Sequence, residues 1–165
     1  MRVRLLALAL LAGAALAAQA APARAAATGP LAVHVEGSLG APTLEQPPLT
    51  VWPFRAVVTL RGVVDGSSDI DGTLVAFETG DPDRPLQLGS VWSGEVDMGG
   101  QSEGVTFVCV VTEFGARGEP LGGPCAVTGA LTGRGAFQIS ELDLVPGAAL
   151  AWTLDFPRVV CRRCA

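Results

Sequence analysis

The sequence predicts an all-β fold, an antiparallel β-sandwich or a small β-barrel of about 8–9 strands. Three observations predict it. Apolar and polar residues alternate with a period of two through most of the chain after the leader. No segment offers ten residues of helical period with caps. Turn formers, 21 Gly and 12 Pro among 165 residues, punctuate the alternating runs at intervals of roughly 8 to 20 residues.

The chain opens with MRVRLLALALLAGAALAAQA, where Arg2 and Arg4 precede an uncharged apolar run and Ala18, Gln19 and Ala20 form a small-x-small cleavage pattern. Residues 1–20 therefore read as a secretory signal peptide, with later cuts as far as residue 27 falling in the same Ala-rich segment. The apolar run is shorter than the roughly 20 residues needed to cross a bilayer, and no later stretch is long and apolar enough to do so. The mature form is expected to carry no membrane span and to be secreted or periplasmic. The absence of Lys, Asn and Tyr, with all eleven basic residues being Arg, reflects the codons of a bacterium with GC-rich DNA. Loss of Arg2 and Arg4 takes the formal charge from −5 to −7. Such a surface is a poor partner for nucleic acid or anionic membranes.

Residues 21–30 read as a flexible Ala-rich N-terminus, 31–157 as the all-β domain and 158–165 as a Cys-containing tail. The first strand runs from Leu31 to Glu36. His34 lies on its polar face with Ala32 and Glu36, and has no second His, Ser or Cys at a readable spacing. The stretch from Gly40 to Pro53, with four prolines, is not expected to pair regularly. Trp52 and Phe54 flank Pro53 at its end. They are candidates for an exposed ligand platform or for an apolar plug of the barrel end or sheet edge.

From Arg55 to Val64 the alternation is clearest, with Ala56, Val58, Leu60 and Val64 on one face and Arg55, Thr59 and Arg61 on the other. The following GSSDIDGTLVAFE resembles in spacing a helix-loop-helix calcium loop, with Asp69, Asp71, Gly72 and Glu78 near the required places. Strand patterns on both sides contradict that fold. An extended Thr73–Glu78 would also hold Glu78 roughly 17 Å from the turn. The run reads instead as an Asp-Gly turn leading into a strand, and Asp65, Asp69 and Asp71 remain as candidates for a weak calcium site at one hairpin tip. No other cofactor is expected.

Further strands are expected at Leu86–Trp92, Gly94–Met98, Val105–Phe114, Cys125–Leu131, Gly135–Leu144 and Ala149–Phe156. The apolar face switches between Ile139 and Leu142, which predicts a bulge near Ser140. In the last strand Leu150, Trp152, Leu154 and Phe156 point inward.

Four cysteines in an exported chain are expected to form disulfides. A hairpin folded about Arg117 sets Cys109 opposite Cys125, within bridging distance, which leaves Cys161 to pair with Cys164. The CRRCA end cannot attach haem, since no His follows. As a zinc site it would need all four thiolates in an oxidising compartment, and as a redox pair it would lack the helix that normally follows such a motif.

Among catalytic patterns, GQSEG matches the nucleophile elbow around Ser102, but a strand follows it and the lone His34 lies upstream of it. Glu95 and Asp97 share a strand face and could in principle act as paired carboxylates. Phosphate loops and H-E-x-x-H are absent. The expected function is an exported, disulfide-stapled binding or structural module without catalysis, facing an extracellular or periplasmic ligand. The alternatives are a secreted hydrolase or isomerase with carboxylates in a barrel mouth, and a thiol-redox protein using the C-terminal C-x-x-C.

Overall fold

The computed structural model describes residues 26–81, 84–97, 101–162 and 164. The segment expected to be a signal peptide, residues 21–25, Met98, Arg163 and Ala165 lie outside the described residues. The strands are β1 (Ala27–Leu39), β2 (Leu44–Gln46), β3 (Leu49–Gly62), β4 (Gly66–Asp81), β5 (Arg84–Asp97), β6 (Ser102–Val110), β7 (Glu113–Phe114), β8 (Pro120–Gly129), β9 (Leu131–Leu142) and β10 (Ala149–Cys161). Eight of them close into an antiparallel barrel in the order β1-β10-β9-β8-β6-β5-β4-β3, and β3 returns to β1. The short β2 and β7 pair with β3 and β8 outside this circuit. The chain is thus a barrel and not a sandwich. The closing seam is the antiparallel pairing of Leu31–Leu39 with Phe54–Gly62.

Alternation supplies the barrel its inside. Val33, Val35, Val58, Leu60, Leu154 and Phe156 all point inward and are buried. Trp92, Phe54, Phe107 and Phe156 are its largest fully enclosed side chains. Trp92 stacks on Phe107 with ring centroids 3.9 Å apart, Phe107 leans on Phe156 at 6.0 Å, and Phe54 meets Trp152 edge-on at 5.4 Å. An eight-stranded barrel is just wide enough for side chains to fill, and here the aromatic side chains occupy the lumen.

Several elements differ from their sequence-based bounds. Strand β1 begins at Ala27, inside the segment expected to be flexible, and β10 continues to Cys161, into the expected tail; both extensions pair, Ala27 with Cys161. The proline-rich stretch does pair: β2 and β3 form a hairpin turning at Pro47–Pro48, which are joined by a cis peptide bond. Pro53 fits because it faces outward on β3, opposite Thr73. Strand β5 is continuous where two strands were expected, and the expected Val105–Phe114 strand is divided into β6 and β7. The bulge is where the apolar switch places it, since Ala151 pairs with Glu141 and Trp152 with Ile139, leaving Ser140 unpaired.

The largest correction concerns Asp71 and Gly72, which are not a turn. They lie within β4, and the turn is formed by residues 63–65. Gly72 faces inward opposite Phe54, whose ring lies where a β-carbon would be, with ring atoms 2.2 to 2.7 Å from that point. Glycine is thus required by a neighbour's bulk. Gly72→Val should destabilise the fold by about 1–3 kcal/mol through overpacking, measured by urea unfolding, and combining it with Phe54→Leu should cost less than the sum of the two. Additive costs would show that the ring does not cover Gly72.

Candidate functional site

The sequence-predicted site residues divide between the two sides of the barrel wall. Trp52 and Phe54 fall inside: Phe54 is 2% exposed and Trp52 9%. They do not form an exposed platform, because the β3 alternation that turns Arg55 and Val57 outward turns both aromatics into the lumen. The charged candidates fall outside. Asp69 and Asp71 are on the outer face of β4, and Glu95 and Asp97 on that of β5. No barrel mouth collects these carboxylates.

Asp65, Asp69 and Asp71 do not share a hairpin tip. Asp65 alone is in the β3–β4 turn, where its Oδ1 accepts a hydrogen bond from the Gly62 amide at 3.0 Å. Asp71 is six residues further along, about 20 Å at the rise of an extended chain. It receives the Arg55 Nε–H at 3.1 Å. Among the described residues no three His, Cys, Asp or Glu side chains are grouped so as to hold a metal ion. The Arg55–Asp71 pair is 89% and 82% exposed, so water screens it and it contributes at most about 1 kcal/mol.

Ser102 and His34 are not brought together. Ser102 Oγ donates to Glu95 Oε2 at 2.8 Å across the β5–β6 hairpin, and Ser68 Oγ donates to the Glu95 carbonyl from β4. His34 is four strands away around the barrel, its Nε2 2.9 Å from Glu36 Oε1. At about 4.8 Å per strand no proton can pass between them directly.

All four cysteines are bridged, Cys109 to Cys125 and Cys161 to Cys164, and none is free. Cys109 and Cys125 are the directly opposed residues of β6 and β8 that the hairpin symmetry requires. Cys161 is fully buried between Ala27 and Leu131, and Cys164 packs against the core. With every sulfur in a disulfide, neither four thiolates for zinc nor the free thiols expected of a reduced redox pair are present. Both bridges fit an oxidising, exported environment.

Two surface grooves that the sequence reading missed lie side by side on the outer face of β10, β1, β3 and β4. One, of about 470 Å³, is lined by Ala32, His34, Thr59, Arg61, Thr153 and Asp155. The other, of about 420 Å³, is lined by Glu36, Arg55, Val57, Asp69 and Asp71 above the paired small residues Gly37 and Ala56. Small inward side chains let the two strands sink toward the barrel axis: a β-carbon on Gly37 would lie 2.1 Å from the Arg55 carbonyl oxygen. The pairing of Gly37 with Ala56 was the available signal, and it required the closing seam to be known. Inside the barrel a narrow gap lies among Leu74, Leu88, Ser90, Phe137 and Trp152. The chain matches no family model, no curated protein and no solved structure, and the site stands on its own chemistry.

Proposed function

We propose that the chain is an exported, non-catalytic binding module that recognises a polar extracellular or periplasmic ligand through the grooved outer face of β10, β1, β3 and β4. The filled lumen carries this reading. Barrels that hold a small ligand keep a cavity for it, whereas Trp92, Phe54, Phe107 and Phe156 occupy this one. The outer face offers His34, Glu36, Thr59, Arg61, Asp69 and Asp155 as hydrogen-bonding and charged groups around two open grooves. The same distribution speaks against a bilayer-spanning barrel, which puts apolar residues outward and polar residues inward. Here His34, Glu36, Arg55 and Asp71 face outward from mid-strand. The signal-peptide pattern of residues 1–20 and the two disulfides support export.

Filling the grooves tests the proposal. On glycan and peptide arrays, the wild-type mature protein should bind a polar class of probe. Thr59→Trp with Val57→Trp should weaken that binding by about tenfold or more, the loss of one or two good contacts. Saturable quenching of tryptophan emission by a lipophilic probe would place the ligand inside and overturn the reading. Turnover of an ester or glycoside would overturn the non-catalytic part of it.

A further inference from the structure

Two arginines face each other on the outer wall of β9 and β10. Arg134 and Arg158 are directly opposed in the register, and both are exposed. Like charges directly opposite destabilise an antiparallel pair. A bulge produces the pairing: from Asp155 to Arg158 strand β10 advances three residues, while β9 moves two, from Ala136 to Arg134. Strict alternation from the buried Phe156 would turn Arg158 inward, and the extra residue turns it out onto the face of Arg134. Glycines on either side of Arg134 bring the strands close together there. A β-carbon on Gly133 would lie 2.9 Å from the Arg158 carbonyl oxygen, and one on Gly135 would meet that of Asp155.

Neither guanidinium is neutralised by a carboxylate. The ion pairs among the described residues are His34 with Glu36 and Arg55 with Asp71. Asp155, the acid closest in the register, sits opposite Ala136 one outward row away and pairs with neither arginine. On the other side, the exposed Thr28 and Thr132 flank Val160 in the next row. Arg162, exposed and tied by its amide to the Ala130 carbonyl, comes two outward positions after Arg158. At about 13 Å along the strand it adds a third positive charge to this end of the wall.

We propose that Arg134 and Arg158 clamp a doubly charged tetrahedral oxyanion, a phosphate or sulfate group. Directly opposed residues are about 4.5–5.5 Å apart at Cα, so two planar N–H forks can reach different oxygens of one such ion. The bound ion replaces the repulsion between the arginines with attraction of each to a shared dianion. A flat, singly charged carboxylate satisfies one fork, whereas a tetrahedral dianion offers oxygens to both. The rest of the molecule limits the size of the occupant. Its formal charge is −5, so an anionic polymer or membrane that covers more of the surface meets repulsion, while a small ion touches only the arginines and the threonine hydroxyls. Because the site is open to water, the dissociation constant should be about 1 mM. None of these arginines lines the grooves, so the clamp does not rest on the grooved-face reading.

Titrating the protein with sodium phosphate, and separately with sodium sulfate, at an ionic strength held constant with sodium chloride tests the clamp through the arginine Nε–H resonances. Saturable shifts should appear at Arg134 and Arg158 with half-saturation near about 1 mM, while Arg55, held by Asp71, should stay in place. A response to only one of the two ions identifies which group the clamp takes. Arg134→Gln and Arg158→Gln should each weaken binding by about tenfold or more. Each should also leave the melting temperature in phosphate-free buffer unchanged or raised, because it removes one of two opposed like charges. Shifts spread evenly over all arginines, no saturation by about 50 mM of either ion, or undiminished affinity in both variants would overturn the proposal. Binding to phosphatidylglycerol vesicles with no response to either free ion overturns it in favour of a membrane surface.

Discussion

Trp92→Ala should cost about 3–5 kcal/mol, the usual range for deleting a large buried aromatic side chain, measured by urea or guanidinium unfolding of the protein. Trp92 is 1% exposed and stacked on Phe107 at 3.9 Å, near the centre of a lumen whose walls are hydrogen-bonded around the full circle. Such walls collapse poorly into a void, so the loss should fall toward the upper end. Against a typical domain stability of about 5–15 kcal/mol this is a third or more of the whole. Trp92→Phe should be milder than its lost volume suggests. The Trp92 indole N–H finds no hydrogen-bond partner among the described residues, and phenylalanine removes that buried donor along with the second ring. A cost below about 1 kcal/mol for Trp92→Ala would show that the lumen is not packed around this residue.

The second large effect is expected from the hairpin disulfide. Replacing Cys109 and Cys125 together by Ala reopens a loop with a sequence separation of 16 and should remove about 3 kcal/mol by the chain-entropy estimate. At about 2–4 °C per kcal/mol for a domain of this size, the melting temperature should fall by about 6–12 °C. Alanine is the informative replacement, because Cys109 and Cys125 are 1% and 4% exposed and a serine pair would also bury two hydroxyls. Replacing Cys161 and Cys164 opens a separation of only 3, for which the same estimate gives about 2 kcal/mol. A larger loss at the tail bridge than at the hairpin bridge would mean that packing around Cys161, and not loop closure, dominates there.

These expectations show where the sequence was readable. Alternation identified the inward residues of β3 and β10 correctly, since a strand with one buried face has only one register that hides its apolar set. The disulfide followed from hairpin symmetry, and the bulge at Ser140 from a switch of apolar face. What misled was glycine. Gly72 and Gly94 looked like strand ends, yet both are inward positions inside long strands. Phe54 fills the space at Gly72, and Ile70 Cγ2 is 2.5 Å from where a Gly94 β-carbon would be. A partner's side chain on the next strand decides such positions, and nothing local in the chain records it. Closure was hidden for the same reason, because the alternation of a barrel strand and of a sandwich strand is identical until β1 is known to meet β3. The grooved face went unseen because its residues come from strands that become neighbours only through that seam and β10.

The seam also dictates the order in which the molecule can come into being. Strand β1 takes its partners from β3 on one side and from β10 on the other, where Ala27 meets Cys161 across 134 positions of chain. Until β10 has emerged from whatever channel delivers it, β1 retains an unmatched edge and the lumen has no last wall. Contacts of that separation place the chain among the slower folders, on a scale of about milliseconds to seconds. Folding can therefore finish only after β10 has been delivered. Any chaperone that attends this chain should hold it while the first strand waits for the last.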